Sequence, residues 1–367
     1  MRENKRTPLK RMNRWIRKNL FASSFDVFLT LICLAFICWA LPPFLKWSVF
    51  DADFAGTTRD DCTSGGACWV FVKMRFNQFI YGLYPEHLYW RPNLVFVISG
   101  LWLAALIFPE WKGKRKLAFT GVLLGPIIVY QILYDGFGYL EIVDTPQWGG
   151  LLLTMIIAGV GIACSLPLGI ILALGRQSEL ILVRKFSIVF IELWRGVPLI
   201  TVLFMASVML PLFFEEGTHF DKLMRCLIGV TLFASAYMAE VVRGGLQAVP
   251  KTQIEAAQAL GMGYWQSMGF VVLPQAIRIV IPGIVNTFIG LFKDTSLVVV
   301  IGMFDLLGMV KAAFTNREWA GYSVEGYLFA GLLFWVFCYW MSKFSQKIEN
   351  KINMDKHSSG SKAWNLS

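Results

Sequence analysis

Eight apolar stretches dominate the sequence, near residues 27–45, 93–108, 117–134, 150–174, 197–214, 225–242, 283–303 and 324–341. Most approach the ~20 residues that an α-helix needs to cross the hydrocarbon of a bilayer. The second and third are shorter and can be accommodated by tilting or by thinning the bilayer. In lipid, backbone groups must find their hydrogen bonds inside the protein, so only helices or closed barrels cross. The two-residue alternation of a barrel strand is absent, so the expected fold is all-α and polytopic, with about eight transmembrane helices.

Composition agrees. Of the 367 residues, 56% are hydrophobic and 16% charged, against about 25% charged in soluble domains. The net charge of +10 does not point to nucleic acid, because the positive residues gather where cytoplasmic loops are expected. The opening "MRENKRTPLKRMNRWIRKNL" holds eight Lys and Arg. Alternate connections hold "KGKRK", then Arg176, Arg184, Lys185 and Arg195, then Arg243, Lys251 and Arg278. Both termini are therefore expected in the cytoplasm. The first apolar stretch is too long for a typical signal-peptide core and lacks a small-x-small cleavage site, so it reads as an uncleaved helix.

The chain is expected to divide near Trp148. Residues 1–147 form an extension of three spans and one long outside loop, 148–345 a five-span core, and 346–367 a polar tail that frays. Five of the seven cysteines lie in or near spans, as small hydrophobes. Cys62 and Cys68 instead share "CTSGGAC" in the outside loop, where a local disulfide and two free thiols are both open readings. Gly121 and Gly125, and Gly161, Ser165 and Gly169, lie at four-residue spacing, which lets helices approach closely in lipid.

No phosphate-binding GxxxxGK[ST], no HExxH and no GxSxG occurs, and His87, His219 and His357 are scattered. No catalytic residue, metal site or cofactor site is expected in this chain. Uphill movement of a solute would draw its energy from a partner or an ion gradient.

The longest cytoplasmic connection, 244–281, contains "PKTQIEAAQALGMGYWQSMGFVVLP". A short helix is expected from Pro250, with Thr252 as a capping group and Gly261 as its left-handed terminator. Ile254, Ala257 and Leu260 share one stripe. Ala256, Ala257 and Ala259 form a small face that suits insertion into a groove of another protein, and equally a helix lying on the bilayer. Tyr264 and Trp265 open a second amphipathic piece that Pro274 ends or bends.

Lys293 and Asp294 fall near the middle of the seventh stretch, followed by Thr295 and Ser296. An ionised group there costs a few kcal/mol. These residues either line a translocation path or gate, or pair structurally with groups such as Glu240 or Arg243. Glu192 and Arg195 precede Gly196 and Pro198, and Glu240 and Arg243 repeat the same i, i+3 spacing at the end of the sixth span. Both pairs read as structural support of a gate.

"EAAQALGMGYWQSMGFVVLP" resembles the EAA loop of ABC importer permeases. "LGRQSELILVRKFSIVFIELWRGVPLI", "YMAEVVRGGLQAVPKTQIEAAQALG" and "LFKDTSLVVVIG" resemble further core blocks of amino-acid importer permeases of the binding-protein-dependent type. The resemblance runs from about residue 149 to 347. The extension is similar to that of the M-type subunit of general L-amino-acid transporters. Val197 departs from a frequent Thr in the "RGTP" block. The resemblance implies a bacterial inner-membrane subunit forming half of an L-amino-acid path. It implies a second permease, an ATP-binding subunit dimer that holds ATP and Mg2+, and a periplasmic binding protein. It places Glu255, Ala256, Ala257, Leu260 and Gly261 in the element that couples to the ATPase. The rival readings are an ion-coupled secondary amino-acid transporter and a non-transporting scaffold.

Overall fold

The computed structural model describes residues 15–107, 113–213 and 220–364. Among them regular structure is helical, and extended pairing is limited to three isolated bridges. Six described helices are long and apolar enough to cross a membrane, or seven if the bent pair Ile181–Gly196 and Leu199–Phe213 makes one span. The expected span at 93–108 is helix Trp90–Ile107, which runs to the edge of the described residues.

Two compact units divide at Met74, not near 147. The reason lies in packing. Tyr84, Leu88, Val95, Leu133 and Val143 are buried in one cluster with Trp148, Leu152 and Leu153. Residues 75–147 therefore share a core with the helices that follow them.

In the first unit, helix α1 (Ser24–Leu45) starts at a capping box. The Ser23 hydroxyl accepts from the Asp26 amide, and the Asp26 carboxylate accepts from the Ser23 amide. After α1 the following loop folds on itself. Ala67 N–H donates to Trp47 O at 2.8 Å, and Trp69 Nε1 donates to Ser48 O at 2.8 Å. Cys62 and Cys68 form a disulfide across this loop, with Cα atoms 5.6 Å apart.

The second unit contains α2 (Trp90–Ile107), α3 (Lys114–Tyr134), α4 (Gly150–Arg176), α5 (Ile181–Gly196), α6 (Leu199–Phe204) and α7 (Lys222–Ala248). Helices α4 and α7 pack through the small residues of α4. Gly161, Ser165 and Gly169 are all buried. A Cβ on Gly169 would sit 2.7 Å from Met238 Cβ, and one on Gly161 would sit 3.2 Å from Val230 Cγ1. Apolar burial does not drive association in lipid, so close backbone approach and dispersion contacts hold this pair.

Next come α8 (Lys251–Ala259) and one unbroken helical run, Tyr264–Ile301, whose main part is α9 (Leu273–Asp294). Pro274 does not end this run. The chain takes a π-helical turn over Ser267–Val272 and re-enters α-helix with the proline in the first turn, where its missing N–H is tolerated. At 1.5 Å per residue the run is about 57 Å long, well beyond the ~30 Å of hydrocarbon. α10 (Leu306–Thr315) and α11 (Ser323–Trp364) complete the unit. Residues 346–364 continue α11, as suits a segment without Gly or Pro before Gly360.

Candidate functional site

Three helices bring charged ends together. α4 finishes on Arg176, α5 carries Glu192 and Arg195 in its last turns, and α7 carries Glu240 and Arg243. Glu240 is the centre. Its Oε1 accepts from Arg176 Nη1 at 2.8 Å, and its Oε2 accepts from Arg243 Nη2 at 2.7 Å. Arg195 Nη1 lies 3.6 Å from Oε2. The Glu240 side chain is 16% exposed. The Arg195 guanidinium also covers the Tyr237 ring at 5.6 Å, and Arg243 Nη1 donates to Gln247 at 3.0 Å.

Of the two expected i, i+3 pairs, Glu240–Arg243 forms. Glu192 instead pairs with Arg176 at 3.7 Å, and Arg195 turns to Glu240. Glu240 and Arg243 are thus engaged with other arginines and a glutamine, not with Lys293 or Asp294. Arg176 was missed as a site residue. Its signal was a lone cation in the last turn of an apolar helix, which orientation counting absorbs. Gly196 ends α5, and Pro198 caps α6, where the chain turns by 102°.

The connection after α7 presents α8. Pro250, not Thr252, is its N-cap, and no side chain caps it. Ala257 is buried and Ile254 half-buried. Leu260 leaves their stripe, because it sits past the last helical residue, and is 82% exposed. Glu255, Ala256 and Ala259 are exposed beside it. The Ala face is therefore split, with one alanine packed inward and two facing out. Gly261 stands at φ +77°, and Met262 N–H donates to Ala257 O at 3.1 Å. This left-handed residue closes the helix without a Cβ penalty.

Lys293 and Asp294 end α9, and Thr295 opens a 3-10 turn that runs to Ile301. If the outer ~20 residues of the run cross the hydrocarbon, these residues lie near its centre. Lys293 is exposed and Asp294 half-buried. Thr295 Oγ1 donates to Phe292 O at 2.8 Å, and Ser296 Oγ donates to Lys293 O at 2.9 Å. Both hydroxyls satisfy carbonyls at the change from α to 3-10 geometry, with Thr295 buried and Ser296 half-buried.

At the other end of α4, Asp305 caps α10, its Oδ1 accepting from Gly308 N–H at 2.9 Å. Gly150 N–H donates to Phe304 O at 2.9 Å, and Leu306 N–H donates to Thr154 Oγ1 at 3.0 Å. These bonds strap α10 to the start of α4. Asp305 is fully buried, and its Oδ2 has no hydrogen-bond partner among the described residues. Burial pushes its carboxyl from 3.8 up to about 6, against the opposing pull of backbone donors at Gly308 and Leu307. Sequence reading passed over this residue, since an Asp before an apolar helix is an ordinary cap.

Residues 165–353 match the family of binding-protein-dependent transport system inner membrane components. The chain is 54% identical over 339 residues to the inner membrane amino-acid ABC transporter permease protein YhdY of Escherichia coli (strain K12), covering 92% of each. It is 38% identical over 410 residues to the glutamate/glutamine/aspartate/asparagine transport system permease protein BztC of Rhodobacter capsulatus, covering 93% of this chain and 94% of that one. A shorter relative, the probable glutamine ABC transporter permease protein GlnP of Bacillus subtilis (strain 168), is 32% identical over 202 residues, 55% of this chain and 91% of its own. The chain is a multi-pass protein of the inner membrane and belongs to the family of binding-protein-dependent transport system inner membrane components.

Proposed function

We propose that this chain forms half of the membrane path of an ATP-driven, binding-protein-dependent importer for L-amino acids. A second permease supplies the other half. An ATP-binding subunit dimer holds ATP and Mg2+ and drives the cycle, and a periplasmic binding protein delivers the substrate. This chain holds no cofactor and hydrolyses nothing. The names of the Escherichia coli and Rhodobacter relatives favour amino acids as cargo, and the latter's favours polar ones.

The observation that carries the reading is the geometry of α8. A nine-residue helix stands beside a run of about 57 Å, with Glu255, Ala256 and Leu260 facing out and Gly261 fixing its end. Small side chains let a helix sit deep in a groove, and two rigid helices joined by a short turn transmit its displacement. Closing an ATPase around α8 would then move α9 and, through it, Lys293 to Ser296. An amino acid carries a carboxylate and an ammonium. Lys293 suits the first and Asp294 the second, while the half-buried Ser296 offers an acceptor oxygen.

The experiment is uptake of labelled amino acid into vesicles holding the co-purified assembly. Uptake is expected only with ATP, Mg2+ and the binding protein, and it persists when a proton or sodium uncoupler is added. Uptake that needs no ATP and collapses with the uncoupler would overturn the reading in favour of an ion-coupled carrier.

A further inference from the structure

Helix α5 presents three faces. Ser187 and Ile191 are buried against the body of the unit. Arg184, Lys185, Glu192 and Arg195 lie on a second side. Leu182, Phe186, Val189 and Leu193 recur at i, i+4, i+7 and i+11, which aligns them on a third. Each of these four is at least 60% exposed, and Leu182 reaches 83%.

The direction of α5 gives this stripe a meaning. α5 meets the following apolar helix at 102°. If that helix crosses the bilayer, α5 lies close to the membrane plane. With 16 residues it is also short of the ~20 needed for a crossing. Its last turn enters the Glu240 cluster at the ends of α4 and α7, which sets its depth at a membrane boundary. The distribution of Lys and Arg assigns that boundary to the cytoplasmic side. Arg184 and Lys185 are exposed beside the stripe, with no carboxylate in ion-pair reach among the described residues.

We propose that α5 is an interfacial helix that docks on anionic phospholipid of the cytoplasmic leaflet. Leu182, Phe186, Val189 and Leu193 enter the acyl boundary, while Arg184 and Lys185 meet headgroup phosphates. A helix of this kind buries its apolar face about 5–10 Å into the leaflet and presents cations to the headgroups. A protein partner would cover the stripe but leave both cations in need of carboxylates. An anionic leaflet satisfies the stripe and the cations with one surface. Arg195 ties the same helix to Glu240, so the lipid fixes the height of the inner ion cluster. The inference rests on membrane placement and not on the cargo, so it fails or stands apart from the transport reading.

The test uses the full chain in native inner-membrane vesicles, with the photo-reactive residue benzoylphenylalanine replacing Leu182 or, separately, Val189. After irradiation the adducts are identified by mass spectrometry. Phospholipid adducts at both positions are expected, enriched in anionic species. The charge-neutral variant Arg184→Gln/Lys185→Gln, which alters only exposed side chains, is expected to lose that enrichment, by about fivefold per cation removed. Adducts dominated by a second polypeptide, an absence of lipid adducts, or an anionic enrichment unchanged in the variant would each overturn the proposal.

Discussion

At the residue scale, Glu240 and Asp305 are the two carboxylates whose surroundings decide most. Glu240 balances three arginines from three helices, and removing its charge leaves all three facing one another. Breaking a well-buried pair in this way costs about 3–5 kcal/mol. The partial exposure here lowers the expectation for Glu240→Gln to about 2–3 kcal/mol of stability in detergent thermal unfolding. Glu192→Gln, at a side chain 64% exposed, is expected to change stability by less than about 1 kcal/mol. Equal effects of the two variants would contradict the central place of Glu240. For Asp305 the sign follows from proton binding. Its folded-state carboxyl is raised from 3.8 to about 6, so between those values the folded protein holds more protons than the unfolded one. Its contribution is complete below the lower value and lost as pH rises through the upper. Asp305→Asn keeps a capping oxygen and cannot ionise. The variant should therefore unfold at a higher temperature than the parent near about pH 8, with the gap closing near about pH 4.5. A gap independent of pH would contradict the buried-acid account. In the sequence Asp305 read as an ordinary cap, whereas Glu192, Arg195, Glu240 and Arg243 were legible as paired positions. Their partners across helices were not, because i, i+3 spacing describes one helix and cannot report that Arg195 reaches across to Glu240 or that Arg176 is nearby.

At the element scale, apolar length located most of the helices long enough to span, since lipid imposes helix on any long apolar segment. What periodicity could not supply was the fate of prolines and turns. Pro274 reads as a stop in a soluble sequence, yet it sits in the first turn of α9 and the run continues from Tyr264 to Ile301. The stretch 197–214 read as a simple span, whereas Pro198 and Gly196 set a 102° turn between α5 and the next helix. Leu260 fitted a helical stripe on paper and left it because the helix closes one residue earlier. The glycines of α4 offer a direct check on packing. Gly169→Ala would place a Cβ 2.7 Å from Met238 Cβ and is expected to destabilise by about 1–3 kcal/mol through overpacking. Gly159, in the same helix, has nothing within 4 Å of that position. Gly159→Ala is thus expected to be neutral or to stabilise by up to about 1 kcal/mol from helix propensity alone. Thermal unfolding of the two variants side by side reads the difference, and a reversed order would contradict the close approach of α4 to α7.

At the scale of the whole molecule, the proposed function joins two ends of one lever. The inner end is α8 with Gly261, outside the long spans. The other is Lys293 to Ser296, carried on the run that begins three residues after Gly261. The resemblance in "EAAQALGMGYWQSMGFVVLP" is what points to the proposed inner end. Lys293 to Ser296 read in the sequence only as polar intrusions, and the Thr295 and Ser296 hydroxyls are bonded to their own backbone. The most direct measurement is simultaneous ATP hydrolysis and labelled amino-acid uptake in reconstituted vesicles, comparing the parent with Glu255→Lys and Gly261→Leu. The account predicts that both variants hydrolyse ATP while uptake falls by about tenfold or more, the signature of a drive that no longer reaches the path. Uptake at the parent's rate in both variants would contradict it.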